Sequence, residues 1–309
     1  MAADRERPAS YRPRVAVVMF LVLLASVGAA GALVYLRTLR PEQRGREILA
    51  RLRDGGLEEA WGKDGGEIWL LGEDASGRPV GAIYIEWRPT EQGYAGRRIR
   101  TAYDTGGRVK LVHEDERWSL SPEGELTDYK AMLIDNRARD PFRQRLQLDG
   151  GRLEVEVAWT GSTPETASTQ LPPDAVPMAF LSRLASASVG EAKAAVHMPA
   201  YATPLRGDAV LTRVTVSPVN ERTATVGYLA LGVHVRKATY EFDEQGDLES
   251  VETAEPDVRY TPQTDLRVFT VFRDEIGQMA VQRLRERETP RTMPAGGIFT
   301  LLLRGLPGG

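Results

Sequence analysis

A chain of 309 residues that is 42% hydrophobic and 27% charged has a globular balance, with enough apolar content for a core that needs no staples. It contains no cysteine, which excludes disulfides, thiolate metal sites, a cysteine nucleophile and a lipidated N-terminal cysteine. A formal net charge of −3 argues against nucleic acid as a partner.

The N-terminus carries Arg5, Arg7, Arg12 and Arg14 and leads into an uncharged, mostly apolar run over residues 15–36, beginning at Val15 and ending at Leu36. A bilayer core takes about 20 apolar residues as a helix, so this run is long enough to span. Two readings compete. Ala30-Gly31-Ala32 has the small residues of a signal-cleavage site, which would release a secreted protein. The apolar core of a signal is roughly 7 to 15 residues, whereas here Leu33, Val34, Tyr35 and Leu36 continue past the cut, which favours a retained signal-anchor. That gives a cytoplasmic tail over 1–14, a single pass through the inner membrane over 15–36, and the large domain outside the cytoplasm. Arg37, Arg40, Arg44 and Arg46 balance the four arginines in front, so the orientation rests on long domains crossing largely regardless of charge. Gly28 and Ala32 form a small-xxx-small pair, but small residues are so common in this run that no dimer is expected.

Residues 37–66 read as a juxtamembrane helix and linker, with Ile48, Leu49 and Leu52 on one stripe and Gly55-Gly56 breaking it before Leu57 and Trp61. This helix is expected to stand the domain off the membrane. From Glu67 the apolar period changes to two, in short runs separated by Gly, Pro, Asp or Asn, the signature of antiparallel sheet. Turn signals at Ser76-Gly77, Gly106-Gly107, Glu123-Gly124 and Gln245-Gly246 place strands near 67–72, 79–88, 94–104, 108–120 and 125–134, with a second set near 208–217, 223–231, 233–243, 247–254 and 265–273. In residues 142–159, Phe142, Leu146 and Leu148 alternate with Arg143, Arg145 and Gln147; beyond Asp149-Gly150-Gly151, Leu153, Val155, Val157 and Trp159 alternate with Glu154 and Glu156. A Gly150-Gly151 turn sets Leu148 opposite Leu153 and Arg145 opposite Glu156, while an Asp149-Gly150 turn sets Arg145 opposite Glu154 and Arg143 opposite Glu156. Either register gives one apolar face and one face of paired charges.

Between the two sets, Leu171-Pro172-Pro173-Asp174 opens a helix over 174–188, with Asp174 as its cap, Pro177 in its first turn and Phe180, Leu181 and Leu184 on one stripe. Over 274–287, Ile276, Met279, Ala280 and Leu284 have helical spacing against a turn signal at Gly277, and helix is the reading adopted. The segment from Trp118 to Tyr129 echoes that from Tyr240 to Val251, as a duplication or as shared hairpin chemistry. The domain then covers 67–287, as one continuous sheet or as two units, 67–170 and 205–287, around the helix. In the C-terminal segment 288–309, the stretch from Ile298 to Leu303 is too short to span and is expected to pack as a last strand or cover a groove.

No Gly-rich phosphate loop, GxSxG elbow, HExxH, SxxK or EF-hand loop occurs, so no catalytic, cofactor or metal residues are assigned. His113 and His234 are expected on solvated faces, and His197 in a loop. Acidic pairs such as Glu114 with Glu116 and Glu252 with Glu255 are read as surface solvation before a two-carboxylate hydrolase. Arg137, Arg139, Arg143 and Arg145 are expected to pair with Glu154 and Glu156. Arg97, Arg98 and Arg100, beside Tyr94 and Tyr103, form a candidate anionic-ligand patch. Trp69, Trp87, Trp118 and Trp159 all fall on strands and form a candidate apolar ligand face, with plain core as the competing reading.

Ile68-Trp69-Leu70-Leu71-Gly72, Gly77-Arg78-Pro79-Val80-Gly81-Ala82-Ile83-Tyr84, and Leu171-Pro172-Pro173-Asp174-Ala175 opening a helix carry a pattern-level resemblance. On these residues the segment 65–187 resembles bacterial envelope proteins with a half-barrel of the lipoprotein-carrier type. The resemblance implies a curved antiparallel sheet wrapped over helices around an apolar cavity. The chain departs from it in its N-terminal anchor and in lacking a lipidated cysteine. The expected fold is mainly β (α+β): a transmembrane helix, then a large curved antiparallel sheet or half-barrel with one or two packing helices. The expected function is non-catalytic: binding or carriage of a lipid or other apolar envelope component. The alternatives are an envelope scaffold that docks a protein partner, and a carboxylate-dependent hydrolase.

Overall fold

The computed structural model of the protein describes residues 12–54, 57–58, 62–103, 110–136, 141–199, 211–230, 234–254 and 257–288. Arg5, Arg7, Gly55-Gly56, Trp61, the Gly106-Gly107 turn, Arg137, Arg139 and the stretch from Ile298 to Leu303 lie outside the described residues, as do the side chains of Arg12, Arg14, Arg37 and His234.

Helix α1 (Arg12–Val34) passes without a break through a π-helical turn (Tyr35–Leu39) into α2 (Arg40–Asp54). Pro41 explains the wide turn. It has no N–H, and its ring would strike the carbonyl four residues back, so the helix loosens to an i to i+5 bond in which the Arg40 N–H donates to the Tyr35 carbonyl. The window 17–34 of α1 is entirely unburied and is long and apolar enough to cross a membrane. Contrary to expectation, α2 is not a stalk. Pro41, Gly45, Ile48 and Leu49 are buried, because the Ile48/Leu49 stripe completes the domain core.

The described strands are β1 (Gly66–Glu73), β2 (Pro79–Thr90), β3 (Gly93–Tyr103), β4 (Lys110–Leu120), β5 (Leu126–Asp135), β6 (Phe142–Asp149), β7 (Arg152–Trp159), β8 (Glu165–Gln170), β9 (Ala194–Pro199), β10 (Leu211–Pro218), β11 (Thr223–Ala230), β12 (His234–Phe242), β13 (Leu248–Ala254) and β14 (Asp257–Pro262). They form one 14-stranded sheet in the order β8-β7-β6-β5-β4-β3-β2-β1-β14-β13-β12-β11-β10-β9, with every neighbouring pair antiparallel. The protein is therefore mostly β, with few helices. The sheet curls strongly: the Tyr129 hydroxyl on β5 donates to the Pro199 carbonyl on β9, the last strand in that order, at 3.3 Å. Within the curl sit α2 and a helical strap, a 3-10 turn (Met178–Phe180) running into α3 (Leu181–Ser188), which joins the β8 edge to the β9 edge. On the opposite face a 3-10 segment (Leu266–Val271) and α4 (Glu275–Glu288) cover Trp69, Leu71, Ala82, Tyr84 and Ile99.

Several expectations are corrected. Residues 266–271 are not a strand: the Asp265 carboxylate accepts the Arg267 N–H at 3.0 Å, and Leu266 and Phe269 are buried at the three-residue period of a 3-10 turn. Strands β8, β9 and β14 were not foreseen. The strap begins at Met178 rather than Asp174, whose carboxylate is instead 3.6 Å from Arg46 and 3.5 Å from His197. The 142–159 hairpin takes the Gly150-Gly151 register, with Leu148 opposite Leu153 and Arg145 opposite Glu156. The echo between the β4–β5 and β12–β13 hairpins has a third copy at β1–β2. In all three, Gly77, Gly124 or Gly246 adopts positive φ and donates its N–H to the carbonyl of Asp74, Ser121 or Asp243. Turn chemistry accounts for the likeness.

Candidate functional site

Strand register decides which side chains enter the curl. Across β1 to β5 the inward rows read Ile68, Ile85, Arg98, Glu116, Ala131 and then Leu70, Ile83, Arg100, Glu114, Leu133. Two arginines and two glutamates thus form a polar band in a mainly apolar interior, with Gln144 buried in the same row beyond Leu133. Glu114 receives Arg98 at 2.9 Å and Arg100 at 3.0 Å, and the two arginine side chains are each only 11% exposed. Burial opposes their charge, but Glu114 and the neighbouring Glu116 and Tyr260 hold both guanidiniums above their ordinary pKa.

Glu116 is fully buried, and its Oε1 accepts the Met178 N–H at 2.7 Å. The strap has no side-chain cap of its own, so this carboxylate from β4 serves as its remote cap. Burial pushes the Glu116 carboxyl up to about 7, against the pull of Arg98, the Met178 N–H and Tyr129. A proton can therefore reside there near neutral pH, but the carboxylate is closed under the strap.

The proposed anionic patch does not hold together. Arg97 points to the other face, where it pairs with Asp115 at 2.8 Å and with Glu275 of α4. Neither do the four tryptophans share one face. Trp87 and Trp118 are buried in the interior, each opposite a glycine; a Cβ at Gly66 or Gly96 would stand 2.5 or 2.2 Å from the indole it faces. Trp69 lies on the outer side against Tyr84 and Phe269, at ring separations of 4.3 and 5.4 Å. Trp159 is half-buried at a strand end beside Phe142.

His113 is buried at mid-sheet, not solvated, with Nδ1 3.3 Å from the Thr101 hydroxyl; it pairs across β4 with Thr101 and Ile134. His197 stands on β9 rather than in a loop. The Glu114/Glu116 pair is likewise buried rather than solvating a surface. The missed signal was parity: Glu114 and Glu116 are four and two residues before Trp118 on one strand, so an inward Trp118 turns both inward.

On the outer face, α4 and the ends of β1 to β4 flank an open groove of about 1060 Å³. Its charges are largely paired: Arg283 lies 3.3 Å from Glu67 and 3.7 Å from Glu86, and Arg287 lies 3.3 Å from Glu67. Arg88, Asp64, Asp128 and Ser119 add mixed charge to a lining that also includes Trp87 and Trp118. Among the described residues, no group of three or more histidines and carboxylates is arranged to hold a metal ion.

No protein-family model matches the chain, and no curated protein matches it. Among solved structures it is similar to a β-barrel-like protein of a domain of unknown function (DUF1849) from Brucella abortus, with 10% identity and a TM-score of 0.40, covering 65% of this chain and 96% of that one.

Proposed function

We propose that the protein is a single-pass, membrane-anchored binding protein of the bacterial cell envelope that docks a partner on the outside of its half-barrel and performs no chemistry. The observation that carries this reading is the filling of the curl. The space that a carrier would leave for an apolar ligand holds α2, the strap, Trp87, Trp118, Tyr129 and Tyr260. The unburied α1 supports the anchor, and the mixed-charge groove beside α4 suits a polar protein segment better than an acyl chain.

The full-length chain, released from detergent in a native mass spectrometer, is expected to weigh the same as the denatured chain. A stoichiometric adduct in the lipid mass range, present only on the folded protein, would overturn this reading in favour of carriage.

A further inference from the structure

Since every pair in the sheet is antiparallel, strand ends alternate between two rims. One rim carries the β1–β2 hairpin around Ala75, the ends of β9 and β10 at Pro199 and Leu211, and the ends of β13 and β14 at Ala254 and Asp257. The opposite rim carries the β2–β3 turn at Gln92, the β4–β5 turn at Gly124 and the start of β1 at Gly66.

Helix α2 runs from the first rim to the second. Near its start, Glu42 pairs with Arg213 of β10 at 3.0 Å, and the same arginine donates to the Thr38 carbonyl at 3.1 Å. Further along, Gly45 lies so close to β9 that a Cβ there would be 2.0 Å from the Ala195 carbonyl oxygen. At its end Arg53 packs over Gly124, and beyond it the Gly62 carbonyl accepts the Tyr94 hydroxyl, both at the second rim. Arg51 pairs with Glu191 at 2.6 Å and fixes the helix to the segment before β9. The helix is thus bolted to the sheet along its length, and it is continuous with the apolar α1.

Lengths decide where the first rim falls. From Arg53 back to Leu36, where the apolar run ends, is ~26 Å of helix at ~1.5 Å per residue. A strand the length of β2, at about 3.3 Å per residue and tilted by about 40°, rises ~28 Å between the rims. The first rim therefore comes level with the end of the apolar run.

We infer that the unbroken α1–α2 helix holds the half-barrel directly on the bilayer, with the Ala75 rim in contact with lipid headgroups and the Gln92 rim facing away. This inference rests on reading α1 as a retained membrane span. The partner surface is the headgroup layer, met by a polar rim whose β1–β2 turn is braced by Asp74, which accepts the Ser76 and Arg78 N–H groups. The domain has no flexible neck, so it cannot swing away from the membrane while α2 is packed.

Because the native chain has no cysteine, Ala75→Cys and Gln92→Cys each accept a single fluorophore, at opposite ends of β2. Each labelled full-length protein is reconstituted into phosphatidylcholine–phosphatidylglycerol vesicles containing a headgroup-nitroxide lipid. Quenching at position 75 is expected to exceed that at position 92 by at least about twofold, given the ~28 Å between the rims. Equal quenching at the two positions, or stronger quenching at 92, overturns the inference. Protein that fails to float with the vesicles overturns the anchor reading instead. A Gly-Ser insertion between Leu39 and Arg40 should keep flotation and abolish the difference; a difference that survives it shows that the helix is not what holds the rim down.

Discussion

Gly45 and Gly31 are both helical glycines, and they carry opposite consequences. A Cβ at Gly45 meets the Ala195 carbonyl, so Gly45→Ala must push α2 off β9, at about 1–3 kcal/mol for overpacking. Gly31 has nothing within 4 Å, and Gly31→Ala should leave the domain's melting temperature unchanged. Thermal unfolding of both variants in detergent checks the pair: equal midpoints would mean that α2 does not pack as described. Glu116 sets a pH dependence. Its pKa is raised from 4.5 to about 7 by burial, so between those values the folded chain binds a proton that the unfolded chain releases. Its contribution is most favourable below pH 4.5 and is lost as the pH rises through 7, about 3 kcal/mol in all. Glu116→Gln, which keeps an acceptor for the Met178 N–H, should flatten the fall in denaturant midpoint between pH 5 and 8 that the native protein shows; an unchanged slope would assign it to another group. Glu114 and Glu116, with Arg98 and Arg100, show what a residue-level reading of the sequence misses. Charge suggests solvent, and only the shared parity with Trp118 reveals that they point inward. Which residues pair, by contrast, depends on neighbouring strands whose order no local pattern encodes.

Among the elements, the most legible were those with one wet face. The β6–β7 hairpin alternates cleanly because its outer side is solvated, and its two-glycine turn fixes the register. Strands without that asymmetry were invisible. β9 (AAVHMP) is buried on almost every residue, so no alternation remains, while β8 (ETASTQ) is an edge strand without a large apolar side chain. The 3-10 segment Leu266–Val271 imitates a strand in composition and is identified only by its Asp265 cap and the buried pair three residues apart. That segment clamps α4 to the sheet, and Phe269 is its centre, fully buried against Trp69 and Phe272. Phe269→Ala should cost about 3–5 kcal/mol. It should also red-shift tryptophan emission by wetting Trp69. A cost below 1 kcal/mol would mean that the clamp is dispensable.

At the scale of the whole molecule, one sheet is assembled from two meanders, and their seam is unusual. β1, the first of the described strands, has β14, the last of them, as its second partner, with Leu70 opposite Pro262 and Gly72 opposite Tyr260. While the chain is being synthesised from its N-terminus, strands β1 to β8 can pair as they emerge, but the free side of β1 must wait for nearly two hundred residues to follow. During that interval an unpaired strand edge stands exposed on a half-built protein, the kind of surface that recruits foreign strands. Closing such a distant contact is also slow, since the loop entropy must be overcome before the pairing rewards it. A chain stopped before Asp257 should therefore be degraded or aggregated, whereas one stopped after Glu288 should survive, as pulse-chase of the two truncations would show. The seam makes this a sheet that stays vulnerable until β14 has arrived.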